Sequence, residues 1–497
     1  MNNAQSLKEK VVKGSVIVLV MTLLGSFFAY LIRILYSRTL TIEDYGLFYA
    51  VLAMFGIATA YIDLGFGYSM VYLLPKYLKV KDYAKAWNIF IHGLVIPAIM
   101  SVVVATILAI SAPFLAKNYF KIAGSENLIY IFCIYIVTST VLNTLSQIYT
   151  GLQKPKYYSS ITVSKWLLIF VFSQLFFLFK FSNVIYYAIA WALAHIATTI
   201  IFLYLLYLHH PFLTGNKIIL EGKTLKLIWV FAFPALIESV MYSFVILTDT
   251  FFLTLFRGVR EVGIYNIIYP IASISMMLLN PLNGLILPLV SHLMEGEKDK
   301  LTYLVEKVLE ITPFIGVYFA LFIVMFPSSV VGLIFGSKWL GLVEFPLTII
   351  ALGVIGLLMS IILGTILIGT GRIRERLKIF AFVGIFHVIF NAIFIWKMGV
   401  LGVAITNSLV GLSLSILFAR IIRGIIPFEA PYMFYIKLLI FASLAYLIVK
   451  ITAINPQNWF EFVAAGMIYT MIFAIFGFIL KVYDKRILFM ILPKKNE

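Results

Sequence analysis

The sequence predicts an all-α polytopic membrane protein of about fourteen transmembrane helices, and three observations carry that reading. Hydrophobic residues make up 63% of the 497-residue chain and charged residues 12%, where a soluble domain carries roughly a quarter charged residues. The mean hydropathy is +1.05. The apolar residues also fall in runs long enough to span a bilayer, since ~20 residues at 1.5 Å rise cover the ~30 Å hydrocarbon core. The single cysteine, Cys133, lies inside one such run, so neither a disulfide framework nor a cysteine metal site is expected.

Taken in order, the runs lie near 14–36, 43–63, 88–114, 127–150, 158–180, 183–207, 226–256, 262–288, 308–330, 344–368, 377–396, 400–422, 433–452 and 459–481. The first is too long for a signal-peptide core, and Ser37-Arg38-Thr39-Leu40 after it offers no small-residue cleavage site. The connection 64–87 interleaves Met70, Tyr72, Leu73, Tyr77 and Leu78 with Lys76 and Lys79. That pattern fits a short interfacial helix or an ordinary basic loop. No connection is long enough to hold a soluble domain.

Charge sets the orientation. The chain has 38 Lys and Arg against 21 Asp and Glu, a net charge of +17. With an even number of spans both termini share one side. That side, with the even-numbered loops, holds 27 of the basic residues; the odd loops hold nine, and Arg33 and Lys165 lie within spans. By the positive-inside rule both termini are expected in the cytoplasm, at the cell membrane. The positive charge then faces anionic lipid head groups rather than nucleic acid.

An internal repeat is also legible. Asp44, Gly46 and Phe48 after the first span match Glu261, Gly263 and Tyr265 after the seventh, at an offset of 217. Thr150-Gly151 after the fourth matches Thr370-Gly371 after the tenth, at 220. Each offset links a span to the sixth after it. The expected organisation is a six-helix lobe at 1–210, a second at 211–425 in parallel pseudo-repeat, and two further helices with a cytoplasmic tail at 426–497.

The same residues carry a family resemblance. Arg38-Thr39-Leu40, Glu43-Asp44-Tyr45-Gly46-Leu47-Phe48 and Asp63-Leu64-Gly65-Phe66-Gly67 resemble the opening of the Wzx-like polysaccharide flippases of the multidrug/oligosaccharidyl-lipid/polysaccharide exporter superfamily. Phe233-Pro234, Val262-Gly263-Ile264-Tyr265, Pro288, Asn391 and Gly399-Val400-Leu401-Gly402-Val403-Ala404 extend the likeness over about residues 10–425. Thr250 stands after Asp249 where a basic residue is common in the family. The resemblance implies two lobes around a cavity open alternately to either side, and a polyprenyl-diphosphate-linked oligosaccharide as cargo. It leaves room for a coupling ion, H+ or Na+, and for polysaccharide assembly proteins as partners. A cation-coupled multidrug exporter of the same superfamily is the alternative reading.

Ionisable residues inside spans are the candidate site, because each costs several kcal/mol in hydrocarbon. Lys165 lies about a third of the way into the fifth span, too deep for easy snorkelling, and suits the carrier diphosphate as a point charge. Glu238 and Asp249 are eleven residues apart in the seventh span, within about 20° of one face and ~16 Å apart in height, with Tyr242 between them. Carboxylates and a phenol ring suit sugar hydroxyls and a pyranose face. Arg33 falls one residue from Asp249 after the repeat offset, so the two are either an outer gate or, for Arg33, a snorkelling cation. His92, His195 and His387 read as core histidines, Asn391 as a bond to a neighbouring helix and Asp63 as a cap. Phe and Tyr are expected mainly at lipid-facing or interfacial positions. No phosphate-cradling loop and no carboxylate pair on a large loop is present, so neither ATP hydrolysis nor any other enzyme activity is expected. No cofactor or metal is expected either.

Overall fold

In the computed structural model the described residues are 2–181, 183–209 and 222–482, with the side chains of 2–13, 15, 238, 241–246, 278 and 280–284 excepted. The C-terminal tail beyond 482, whose basic residues entered the charge count, lies outside them. Seventeen α-helices run through these residues, and no strand occurs among them. In order they are α1 (Asn2–Thr39), α2 (Ile42–Ile62), α3 (Phe66–Lys79), α4 (Tyr83–Leu115), α5 (Ser125–Gly151), α6 (Pro155–Leu178), α7 (Val184–His209) and α8 (Gly222–Arg257). Then follow α9 (Val259–Ala272), α10 (Ile274–Met294), α11 (Lys298–Met325), α12 (Pro327–Ile334), α13 (Glu344–Gly369), α14 (Ile373–Met398), α15 (Val400–Arg423), α16 (Tyr432–Ile451) and α17 (Trp459–Ile479).

The chain is an all-α polytopic membrane protein. Twelve helices among the described residues are long and apolar enough to cross a bilayer, and they coincide with twelve of the fourteen expected runs. The seventh run is α8. The eighth is broken in two at Ser273, between α9 and α10. Pro270 lies inside α9, three residues before that break, and the turn it crowds is the one preceding it. Most of the basic connection 64–87 is helical, as α3, and Met70, Leu73 and Leu74 of that helix are buried in the core. Asp63 caps it: Gly67 N–H donates to its carboxylate at 3.4 Å, and burial pushes the Asp63 carboxyl up against the lowering pull of the Gly67 and Gly65 N–H groups.

The chain divides into two compact units, Met1–Gly263 and Ile264–Glu497. This packing boundary lies beyond the repeat boundary expected at 211 because α8 packs on α2 and α3. Gly65 makes that approach: its φ is +74°, and a Cβ there would lie 2.0 Å from the Ala232 carbonyl oxygen. In the first unit α3, α4, α5, α7 and α8 share a core around Met70, Leu73, Ile89, Leu145 and Ile228. α1 lies along α6 in parallel, for Gly14 meets Pro155, Gly25 meets Trp166 and Tyr36 meets Ser173. In the second unit α10, α11, α13 and α15 enclose Val290, Val305, Leu363, Ile366 and Phe418. α16 and α17 join α11 through a separate aromatic cluster of Phe314, Tyr469 and Phe473, where Tyr469 O–H donates to the Tyr318 carbonyl at 2.7 Å.

Local geometry recurs along the chain at a near-constant offset. Helices begin at Ile42 and Val259, Ser125 and Glu344, Pro155 and Ile373, and Val184 and Val400. After α5, the N–H groups of Leu152, Gln153 and Lys154 donate to Ile148, Thr150 and Tyr149. After α13, those of Thr370, Gly371 and Arg372 donate to Ile366, Ile368 and Leu367. The two turns are the same motif, with Gln153 and Gly371 at the left-handed position (φ +54° and +78°). Their equivalence is at an offset of 218, two residues from the Thr-Gly match in the sequence and one from the match at Gly46.

Candidate functional site

Arg33 projects from α1 toward α2, where Tyr45 and Tyr49 stand one turn apart. Its guanidinium carbon lies 4.7 Å from the centroid of the Tyr49 ring, and it hydrogen-bonds the Tyr45 hydroxyl. Both tyrosines are buried. A desolvated cation over a ring face is held by ~2 kcal/mol, which fixes Arg33 on α2.

Lys165 projects from α6. Its ammonium is 5.2 Å from the Trp166 ring centroid, and the Trp166 ring meets Trp191 of α7 edge-on at 5.6 Å. His195, one turn further on α7, stacks with Trp191 and lies 4.7 Å from the Tyr135 ring of α5. His195 is near enough to feel the Lys165 charge. Among the described residues no carboxylate lies within ion-pair distance of Lys165. Lys165 thus sets three N–H donors beside the Trp166 indole, with no described carboxylate near them.

The two cations border one aromatic network. Tyr49 meets Phe48 at 5.4 Å, Phe48 meets Trp191 at 5.5 Å, and Trp191 meets Trp166. The buried Tyr36 hydroxyl ties it together, accepting from Trp191 Nε1–H at 3.1 Å and bonding Ser173 at 2.8 Å. The expectation that Phe and Tyr are mainly lipid-facing fails here, because Tyr36, Tyr45, Phe48, Phe55 and Phe132 are fully buried. By the α1–α6 register Lys165 is level with Gly25, which places Arg33 eight residues, or ~12 Å, further along the helices.

Asp249 is buried in α8, 3% exposed. α8 crosses α2 beside it, where a Cβ on Gly56 would lie 3.1 Å from Leu247. Glu238 and Tyr242 are in the same helix, but their side chains lie outside the described residues. His92 and His195 are satisfied in their own helices, each Nδ1 bonding the carbonyl one turn back at 2.7 and 2.8 Å. His387 and Asn391 are buried on α14.

One feature escaped the sequence reading although its residues were in view. Gly46 and Gly263, matched as repeat equivalents, touch each other. A Cβ on Gly46 would lie 1.8 Å from the Val259 carbonyl oxygen, and one on Gly263 would lie 3.4 Å from the Gly46 Cα. Beside them Arg260 pairs with Glu43 at 3.8 Å. The starts of α2 and α9 therefore meet there, backbone to backbone.

Comparison with known proteins agrees with this architecture. The family described as polysaccharide biosynthesis protein matches residues 11–294. An uncharacterized membrane protein of Methanocaldococcus jannaschii is 29% identical over 417 residues, covering 81% of this chain and 82% of its own. Among solved structures, lipid II flippase MurJ in an inward closed conformation superposes with a TM-score of 0.69 at 13% identity, over 94% of this chain and 99% of its own. An inward-facing multidrug resistance MATE family transporter of the MOP superfamily gives 0.68 at 15% identity, over 88% and 100%. At these identities the two structures speak for the fold.

Proposed function

The chain belongs to the polysaccharide biosynthesis protein family, and from that premise we propose that it is a flippase. Its cargo is a polyprenyl-diphosphate-linked oligosaccharide or polysaccharide repeat unit, carried from the cytoplasmic to the outer leaflet by alternating access. The observation that carries the reading is Lys165. An ammonium set deep in an apolar helix, flanked by Trp166, Trp191 and His195 and free of any described carboxylate, favours an anion that must itself enter the membrane.

In this scheme Lys165 holds the diphosphate as a point charge, and the indole and phenol faces around it offer stacking surface to sugar rings. Glu238, Tyr242 and Asp249 accept from or stack on the sugar. Arg33 and Asp249 form the outer gate, pairing as water leaves. A pair 4 Å apart gains from about 1 to about 4 kcal/mol as the effective dielectric falls, before desolvation is subtracted. Arg33→Ala and Asp249→Ala each lower transport, and the exchange Arg33→Asp with Asp249→Arg restores part of it. A double exchange as inactive as the single variants removes the gate.

A multidrug exporter of the same fold is the competing reading. Organic cations call for a mainly acidic pocket, and the two cations bordering the aromatic network oppose it. The deciding experiment is complementation of a polysaccharide pathway that lacks its flippase: restored surface polymer supports the proposal, whereas drug resistance without polymer overturns it.

The protein acts in this proposal from the cell membrane with both termini in the cytoplasm. Reporter fusions at Gly124, before α5, and Arg374, at the start of α14, then report opposite sides; the same side for both overturns the orientation.

A further inference from the structure

α14 is held to the protein by one side. Val383, His387, Asn391 and Ile395 form its buried stripe, and α13 and α15 are the helices packed against it. The neighbouring stripe is a ladder of phenylalanines at every fourth position. Ring centroids are 4.7 Å apart from Phe382 to Phe386, 6.0 Å to Phe390 and 6.0 Å again to Phe394. The first three rings are exposed, Phe382 at 58% and Phe386 and Phe390 at 43% each.

The same every-fourth series runs backward into charge. Lys378 precedes Phe382 and Arg374 precedes Lys378, both exposed in the first turns of α14. Arg372 and Glu375 beside them pair at 2.7 Å and largely cancel, and Arg376 turns toward Gly364 of α13, which leaves Arg374 and Lys378 as exposed cations at the foot of the ladder. Two cations followed by four consecutive rings form one row, which winds ~40° about α14 with each four-residue step, and that row complements an amphiphile with an anionic head and a long apolar tail.

Ladder length says which amphiphile. Each step of four residues rises ~6 Å, so Phe382 stands ~6 Å above Lys378, Phe390 ~18 Å and Phe394 ~24 Å. An acyl chain anchored at the head-group level reaches the midplane of the ~30 Å core, ~15 Å up. A membrane phospholipid therefore covers Phe382 and Phe386 and leaves the upper two rings to other lipid. A polyprenyl chain is long enough to follow all four, and its regularly spaced methyl branches seat on ring faces.

We propose that α14 is the loading surface for the carrier lipid: Arg374 and Lys378 hold the diphosphate at the cytoplasmic interface while the isoprenoid tail lies along Phe382, Phe386, Phe390 and Phe394. The proposal rests on the flippase reading and on a cytoplasmic start for α14, and it names where the substrate first meets the protein. Substrate gathered here is concentrated beside the lobe before its head group enters the cavity.

The test uses full-length protein in neutral phosphatidylcholine nanodiscs. One probe is a long-chain polyprenyl diphosphate with a photoreactive diazirine in its terminal isoprene; the other is phosphatidic acid with the same diazirine at the end of one acyl chain. After illumination, cross-links are mapped by mass spectrometry on the peptide Ile379–Lys397. The polyprenyl probe is expected to label the Phe390–Phe394 region, and the Arg374→Gln, Lys378→Gln double variant to reduce that labelling at least about tenfold, since each interfacial cation contributes separately to an anionic head. Phe386→Leu with Phe390→Leu, which keeps a lipid-facing apolar surface and removes the rings, is expected to lower labelling while leaving folding intact. The proposal is overturned if phosphatidic acid labels the Phe390–Phe394 region as strongly as the polyprenyl probe does. It is equally overturned by polyprenyl cross-links spread evenly over other lipid-facing helices such as α16. Complementation separates the two readings. Labelled α14 in a protein that fails to complement sinks the flippase and keeps the docking surface, whereas full complementation without α14 labelling sinks the docking surface alone.

Discussion

Gly46→Ala is expected to cripple the protein, although it adds one methyl group. The added carbon would sit 1.8 Å from the Val259 carbonyl oxygen and 2.9 Å from the Gly263 nitrogen, and both obstacles are backbone. No rotamer change can relieve such an overlap; α2 and α9 must part. Overpacking of this kind costs about 3 kcal/mol or more where the neighbour is rigid. The expected result is loss of complementing activity together with separation of the two helix starts. With Cys133→Ser as background, cysteines replacing Glu43 and Arg260 should be joined by a short bifunctional thiol reagent in the Gly46 protein. Gly46→Ala should lower that cross-linking by about fivefold or more, as a shift of one to two kcal/mol already requires. Gly56→Ala is the control: its Cβ meets the far end of the Leu247 side chain at 3.1 Å, which can turn away. Cross-linking and activity retained in Gly46→Ala would show that the close approach of α2 and α9 is dispensable.

Lys165→Ala carries the second large effect. The ammonium is the charge around which the proposed anion site is arranged, and removing it leaves Trp166, Trp191 and His195 as an uncharged aromatic wall. A buried charged contact to a phosphate is worth several kcal/mol to the side that keeps it, so transport should fall by about a hundredfold or more. Folding should survive, because burying a lysine without an acid beside it opposes stability rather than supporting it. Lys165→Arg should keep part of the activity, limited by the larger planar group between indoles. The checks are surface polymer in the complemented strain and protein level in the membrane fraction. Wild-type polymer from Lys165→Ala would refute the role assigned to Lys165.

The spans were readable because hydrocarbon thickness dictates them: a run such as 400–422 has few other ways to satisfy its backbone, and α15 lies there. A helix at α3 was one of two readings open from the interleaving of Tyr72 and Leu73 with Lys76 and Lys79, and the chain is helical there. Arg33 and Lys165 stood out as charges in apolar runs. Their surroundings did not, because the rings about them come from separate stretches. Phe48, Tyr135, Trp166 and Trp191 lie on four helices, and no spacing within one helix announces that they meet. Trp191 and His195, one turn apart, were the visible part of that signal. The break at Ser273 was hidden for a different reason, since Pro270 lies inside a run whose hydropathy does not change.

The paired turns after α5 and α13 bear on how such chains descend. Both turns keep one hydrogen-bond register, although Tyr149, Thr150, Leu152 and Gln153 stand opposite Leu367, Ile368, Thr370 and Gly371. Gln153 and Gly371 fill one backbone role with unlike side chains, and a left-handed residue other than glycine is disfavoured by ~1 kcal/mol. One copy has thus tolerated a conformational burden that its sibling sheds. A recurring element in such a chain is therefore recognised more surely by its donor and acceptor ladder than by its residues.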